Sequence, residues 1–530
     1  MEYFGRTYTY KELFEGIDET ARALVAFGVH RSDIITIAMP TTPEAVYLLY
    51  AISKIGAIAN MIDPRTSKEG IYDYTNEAQS KLFIAIDLCY PKINDIREAT
   101  CVEKLLLISA GDSLTGIKSL AYNTGDFVKG IFGMGVRIKE SDTLVRWNTF
   151  IAYRDKVSDI EENHDGSIPA VILHTGGTTG TPKGVVLSSI SFNTIAYQYK
   201  LSGMHLFPGQ RFLDIMPPFI AYGVGAGLHM PFVVGMTALL IPKFEPQSFA
   251  KMIRDLKPNH MAGVPSHWGN VLNSHLLQNY DLSFLITPAV GGDGMDLKLE
   301  RSANAFLDEH KTPNRVIKGY GMTEQCSLAA ACVNEINAEG SVGIPLPQNI
   351  IAIFNPETGE ELTYNQKGEV CLCGPTTMIG YFDNETATNE VIRIHDDGRR
   401  WIHSGDLGYM TEDGFLYIDG RIKRMIIRHD GFKVFPSQIE KIVLADERVK
   451  ACCAVGIQDK GHAQGKVPFV FIVENEKTND NELVTSIKQK CSEELPAYAQ
   501  PDRIVIIDEL PLTSIGKVDF QYLERKAEEY

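Results

Sequence analysis

Four times between Ala170 and Glu324 a short apolar run stops in a loop of glycine, proline or threonine: AVILHTGGTTG, FLDIMPPFIAYGVG, FLITPAVGGDG and RVIKGYGMTE. Runs of this length bounded by such breakers predict parallel strands buried on both faces, which lose the polar alternation of half-exposed strands. The carboxyl ends of such strands are where open α/β sheets bind ligands. The preceding chain carries the same rhythm. Thr9 and Glu12 form a capping box before a helix whose Leu13, Ile17, Leu24 and Val25 share a face, and Gly28 stands where that helix stops. DIITIAMP reads as a strand, Pro43 to Gly56 as a helix, and KLFIAID and KLLLISA as further buried strands.

After Ser341 the texture changes to β-rich segments, GEVCLCG and FLYIDGRIKRMIIR. A helix follows at Ser437 behind a second capping box, SQIE, then the strands AVGI and FVFIVE, a helical stretch near Leu483 to Leu495, and the strand RIVIID. The expected fold class is α/β: a large N-terminal domain over 1–420 with parallel-rich sheets and a β-rich subdomain, a connection at 421–424, and a small α+β domain over 425–530. The stretch Gly111 to Val136 breaks the rhythm. It reads as a packed surface excursion or as a gate for an apolar substrate, with peripheral membrane contact as a further alternative.

Charge narrows the partners. With 51 basic against 67 acidic residues, a net charge of −16 argues against a broad nucleic-acid footprint. The nine cysteines are scattered without a CxxC pair, and Cys371 and Cys373 alternate along a predicted strand, so reduced thiols in a cytoplasmic protein are expected and a zinc site is not. No basic-then-apolar leader opens the chain, and stretches such as PFVVGMTALLIP are too short to span a bilayer.

The loop HTGGTTGTPKGVVLS, from His174, follows the strand AVIL. Glycine lets the main chain approach a ligand closely, so backbone N–H groups and threonine hydroxyls can converge on one point, a concavity that suits phosphate oxygens. Lys183 adds a mobile charge, and charge-assisted bonds are about twice as strong as neutral ones. An idle surface turn is the alternative. The GxxxxGK[ST] pattern fails, because Lys183 follows Pro182 and precedes Gly184.

That loop resembles the signature of the adenylate-forming superfamily of acyl-CoA synthetases, luciferases and peptide-synthetase adenylation domains. Further motifs of that family stand in its order: GGDGM at Gly291, GYGMTE at Gly319, SGDLGY at Ser404, DGRIKRMI at Asp419 and PLTSIGK at Pro511. The resemblance covers nearly the whole chain. In relatives a longer leader usually precedes the segment corresponding to TYTYKELF.

The resemblance implies two half-reactions. A carboxylate attacks the α-phosphorus of ATP, giving an acyl-adenylate and pyrophosphate; a thiol, usually that of coenzyme A, then displaces AMP. Thr175, Gly176, Gly177, Thr178, Thr179 and Gly180, with Lys183, would clamp the outer phosphates. Thr323 would contact the α-phosphate and Glu324 would hold Mg²⁺, a hard cation suited to a carboxylate shared with phosphate. Asp406 would accept the ribose hydroxyls and Arg421 would reach ribose or phosphate. Gly291, Gly292, Asp293, Tyr320, Gly321 and Met322 would border the nucleotide, with Tyr320 offering a stacking face.

Each of these has a plainer reading: a buried ion pair with a lysine for Glu324, a local turn cap for Asp406, a solvated charge for Arg421 and a sheet-core ring for Tyr320. Lys517 would bridge substrate carboxylate and α-phosphate, with Gly516 letting the chain place it deep in the cleft. The small domain would be mobile, turning about Lys423. Gly431 and Phe432 would then line a coenzyme A tunnel. Arg424 departs from the acidic residue common after the hinge.

By the same resemblance the acyl pocket should draw on Phe219, Tyr222, Gly223, His267, Gly291 and Cys326. No acidic residue stands in PPFIAYGVG to meet an α-ammonium, and Ile220 replaces a common histidine, so fatty acids or hydrophobic aryl or alicyclic acids fit better than amino acids or acetate. His267 either orients a polar substrate group or is satisfied in the core. An enzyme loading a carrier-protein phosphopantetheine, and a non-catalytic acyl-nucleotide-binding protein, are the alternatives. Oligomeric state is not legible.

Overall fold

A computed structural model of the chain describes residues 1–114, 139–175, 183–462, 464–475, 480–513 and 517–530. Most of the segment Gly111 to Val136, together with Gly176, Gly177, Thr178, Thr179, Gly180 and Gly516, lies outside the described residues. No described helix is long and apolar enough to cross a membrane.

The α/β expectation holds. Thr9 caps the helix Tyr10–Ala26 in a full box with Glu12, and Gly28, at φ 96°, follows its end. The strands Ile58–Met61, Ile34–Ala38, Leu82–Ile86, Lys104–Ile108 and Leu144–Arg146 lie parallel in an eight-stranded sheet with Pro169–His174. Gly184–Ser188 then returns antiparallel on Pro169–His174, with Gly380–Tyr381 at its edge. A nine-stranded sheet runs parallel through Ile317–Tyr320, Thr287–Val290, His260–Gly263, Arg211–Asp214, Thr237–Leu240 and Glu2–Tyr3. Both sheets are covered by helices, and one apolar core reaches from Met1 to Leu416. Their strands are continuous apolar runs because neither face meets water.

The β-rich segment is a five-stranded antiparallel sheet of Ile350–Phe354, Gly368–Cys373, Arg400–Met410, Ile392–Ile394 and Leu416–Arg421. The strand Gly368–Cys373 buries Cys371 and leaves Cys373 half-buried; two residues apart, they share one face, packed with Phe354 and Trp401, and do not alternate across the strand.

FLYIDGRIKRMIIR is broken into Leu416–Arg421, a single helical turn Ile422–Arg424 and the short strand Ile426–Ile427. Beyond it, Val449–Gln458, Lys466–Glu474 and Arg503–Ile506 form a three-stranded sheet packed by Pro436–Leu444, Asp480–Glu494 and Phe520–Ala527, around cores of their own. The capping box read at Ser437 is absent. The helix starts at Pro436 with no side-chain cap, and Glu440 instead pairs with Arg424 and accepts the Ala454 N–H at 3.0 Å.

Candidate active site

A cavity of about 1020 Å³ opens where the parallel strands end in their glycine-bearing loops. Its walls take Gly291, Gly292, Gly321, Met322, Thr323 and Glu324 from the nine-stranded sheet, and His174, Thr175 and Lys183 from the eight-stranded one. Carboxyl-end crevices of this kind are the ligand sites of open α/β folds.

Behind the wall formed by Ser404, Gly405 and Arg421 lies a buried carboxylate, that of Asp406, which is not itself among the lining residues. The antiparallel register sets Asp406 opposite Arg421. Arg421 Nε lies 2.8 Å from Asp406 Oδ1, and the Tyr320 hydroxyl donates to Oδ2 at 2.6 Å. Burial pushes the Asp406 carboxyl above its ordinary range, while Arg421 and the Tyr320 hydrogen bond pull it down. The turn carrying Asp406 hangs from the neighbouring strand: Ser404 Oγ donates to Val370 O at 2.6 Å and accepts the Asp406 N–H at 3.0 Å. Glu369 accepts the Gly405 N–H at 3.0 Å and faces His403 Nδ1 at 2.8 Å.

A second wall centres on the helical turn Thr323–Gln325, which starts just after Gly321. A Cβ at Gly321 would stand 1.7 Å from Ser327 O, so only glycine lets the chain double back there. Glu324 is buried and accepts the Tyr381 hydroxyl at 2.7 Å. Lys183 Nζ sits 4.8 Å above the Tyr381 ring. Thr175 N–H donates to Lys183 O at 3.0 Å and Lys183 N–H to Thr175 Oγ1 at 3.2 Å, tying these two residues together. A carboxylate oxygen at a cavity wall is a hard donor, and Glu324 fits a magnesium ion held jointly with phosphate.

Lys517 enters from the small domain and lines the same cavity. Thr513 N–H bonds to Lys517 O at 2.7 Å and Lys517 N–H to Thr513 Oγ1 at 3.2 Å, holding Lys517 to Thr513. Burial lowers the ammonium's pKa. The charges of Asp293, Asp406 and Glu324 oppose that shift and that of Arg421 adds to it.

Much of the remaining lining is apolar. Phe212, Met216, Met204 and Leu206 contribute to it with Tyr222, Ala226 and Met230, which lie four residues apart on the wide helix Tyr222–His229 and its continuation. A Cβ at Gly223 would fall 1.9 Å from Pro217 O, so that glycine seats the helix against the strand end behind it. Lys318, also at this wall, is held by Glu300 and by Ala338 O.

The AMP-binding enzyme profile matches residues 1–382, and the AMP-binding enzyme C-terminal domain profile matches 438–517. The chain belongs to the AMP-binding enzyme family. It is 28% identical over 533 residues to a long-chain-fatty-acid–CoA ligase of Bacillus subtilis (strain 168), covering 98% of this chain and 90% of that protein. It is 30% identical over 487 residues to a probable 4-coumarate–CoA ligase of Dictyostelium discoideum, covering 90% of this chain and 83% of that one. Among solved structures, an anthranilate CoA ligase in complex with anthranoyl-AMP superposes with a TM-score of 0.82 at 21% identity, over 99% of this chain and 92% of that one. This AMP-binding enzyme is therefore an adenylate-forming acid–thiol ligase.

Several expected positions of the AMP-binding enzyme differ in the structure. His267 is outside the cavity lining: its Nδ1 accepts the Val264 N–H at 3.3 Å, and its ring packs 4.7 Å from Phe244 and 5.7 Å from Phe249. Phe219 and Cys326 are buried in the core behind the lining, and Gly223 faces Pro217. Tyr320 commits its hydroxyl to Asp406, and its ring is not among the lining residues, although Gly319 and Gly321 beside it are. Asp293 is exposed and accepts the Gly294 N–H at 2.8 Å.

Gly431, at φ 80°, and Phe432, stacked on Tyr498 at 4.4 Å, lie on the small domain away from the cavity. Lys423 is exposed and lines the cavity. Arg424 pairs with Glu440 at 2.5 Å, donates to Ala454 O at 3.1 Å and sits 5.1 Å over the Phe520 ring, so it belongs to the small domain. Glu369, Tyr381, Met204 and Leu206 reach the cavity through tertiary packing and carry no local motif.

Proposed function

We propose that the chain activates a hydrophobic carboxylic acid with ATP, releasing pyrophosphate, and passes the acyl group from the adenylate to coenzyme A with loss of AMP and a proton. The observation that carries this reading is that Lys517 shares one cavity both with the charged Lys183, Glu324 and Arg421 and with methionine, phenylalanine and alanine side chains.

The acid's carboxylate and the α-phosphate repel as they approach, and Lys517 neutralises both. Preorganised charge of this kind in a site that excludes water is a large source of rate. Asp406 and Arg421 orient the ribose, Thr175 and Lys183 hold the outer phosphates, Thr323 contacts the α-phosphate, and Gly291, Gly292 and Met322 border the nucleotide. Magnesium, held by Glu324 when present, would offset phosphate charge.

The reading divides the chain into a body over 1–420, a hinge at 421–424 and a lid over 425–530. Arg424 is bound to Glu440 of the lid, while Arg421 is bound to Asp406 of the body. That arrangement supports a swivel between the two, at Ile422 and Lys423. Swinging the lid would withdraw Lys517 and bring Gly431 and Phe432 to the thiol's path.

ATP–pyrophosphate exchange across a panel of carboxylic acids, with thioester formation followed with and without coenzyme A, tests the reading. Exchange with fatty or aryl acids and thioester only with coenzyme A is expected. Exchange confined to amino acids or to acetate contradicts the proposed substrate class.

A further inference from the structure

At the carboxyl end of the strand Pro169–His174, one residue before Thr175, the His174 side chain lines the cavity. Its Nε2 lies 2.7 Å from Asn60 Oδ1. The Asn60 amide nitrogen donates to Thr36 Oγ1 at 3.1 Å and to Tyr74 O at 3.4 Å. Asn60 Oδ1 is therefore the acceptor and His174 Nε2 carries the hydrogen, by the logic of the hydrogen-bond network. What remains at Nδ1 is a lone pair. It is buried and has no hydrogen-bond partner among the described residues. The ring is fixed by Tyr74, whose centroid is 4.1 Å away. A buried acceptor without a donor carries a desolvation cost that ordinary packing does not explain.

We propose that His174 is a polyphosphate-binding residue that takes a proton from solvent at Nδ1 when the nucleotide enters, placing a second cation beside Lys183 at the phosphate end of the cavity. This inference rests on the adenylation reading above. A lone pair facing acceptor-only phosphate oxygens is repulsive, whereas a protonated Nδ1 makes a charge-assisted hydrogen bond.

The groups around the ring fit such a change. The helix Lys68–Glu77 supplies Tyr74 and the exposed Glu77, which also lines the cavity, while the strand Ile58–Met61 supplies neutral Asn60. Lys183 precedes the strand Gly184–Ser188, and Asp383 follows Gly380–Tyr381 and acts on Glu77. Burial holds His174 down to about 4, so without a polyanion beside it the ring is neutral. Because its pKa rises on binding, the added affinity is present at low pH and is lost as pH rises through the bound-state value.

Calorimetry with a non-hydrolysable ATP analogue, in two buffers of different ionisation heat near about pH 6.5, reads the protons taken up. The native chain should take up about half a proton more than His174→Phe, which keeps a ring against Tyr74. In the native complex, the His174 Cε1–H resonance should titrate above about pH 6, against below about pH 5 without nucleotide. Equal proton uptake in the native chain and the variant, with analogue affinity intact, overturns this inference alone, as does a resonance that stays neutral in the complex. An analogue that does not bind the native chain overturns the inference and the adenylation reading together.

Discussion

Arg421 and Asp406 are directly opposed across an antiparallel strand pair, and the guanidinium Nε stands 2.8 Å from the carboxylate Oδ1. With the Tyr320 hydroxyl on Oδ2, the carboxylate is oriented before any nucleotide arrives. Asp406→Asn should raise the KM for ATP by about 10- to 100-fold, the worth of one or two charged hydrogen bonds. The KM for the acid should change little. Steady-state kinetics with each substrate varied separately checks this, and an unchanged KM for ATP would remove Asp406 from the ribose site.

The Tyr381 hydroxyl is the donor that holds Glu324, and its ring lies under Lys183. Tyr381→Phe keeps the ring and removes the donor. Pyrophosphate exchange should fall by about tenfold, as expected for loss of one hydrogen bond to a charged group. The melting temperature should barely move. A large loss of stability with no separate loss of rate would make the contact structural.

Ala226 is part of the apolar lining of the cavity, on the same wide helix whose Gly223 is pressed against Pro217. Ala226→Phe should cut kcat/KM for the longest accepted acids by at least about tenfold and leave short ones nearly untouched, since it fills volume without adding a polar group. Gly223→Ala should instead destabilise the fold by about 1–3 kcal/mol through overpacking. Chain-length profiles and thermal melts distinguish the two.

Glu44, in the first turn of the helix Pro43–Lys54, is buried and accepts a hydrogen bond from Ser113. Burial raises its carboxyl from an ordinary 4.5 to about 7. The folded chain keeps this proton at pH values where the unfolded chain has released it. The stabilisation is therefore complete below about pH 4.5 and is lost as pH rises through about 7, a change of about 3 kcal/mol. Glu44→Gln should flatten denaturant-melt stability over that window, and an unchanged slope would contradict the assignment.

Where an element carried its own start and stop, the sequence was readable. Thr9 with Glu12 and Gly28 bound the first helix as written. Buried strands such as Leu82–Ile86 stood out as apolar runs because both sheet faces are covered. Local chemistry misled where a distant partner took the side chain: Glu440 left its capping role for Arg424, and His267 turned to the Val264 amide and two phenylalanines. PPFIAYGVG read as a loop because of its glycines, yet from Tyr222 they let a wide helix sit close against Pro217 and Cys326. Tyr381 had no local signal at all. It reaches Glu324 only because Gly380–Tyr381 pairs with the edge of Gly184–Ser188.

The measurement that bears most directly on the central claim separates the two half-reactions of Lys517→Ala. With its ammonium gone from the cavity, ATP–pyrophosphate exchange should fall by at least about 100- to 1000-fold, the scale seen when one preorganised stabilising group is removed. Thioester formation from supplied acyl-adenylate and coenzyme A should stay within about tenfold of the native rate, because that step needs no neutralisation between carboxylate and phosphate. Equal loss of both half-reactions, or intact exchange, would contradict the account.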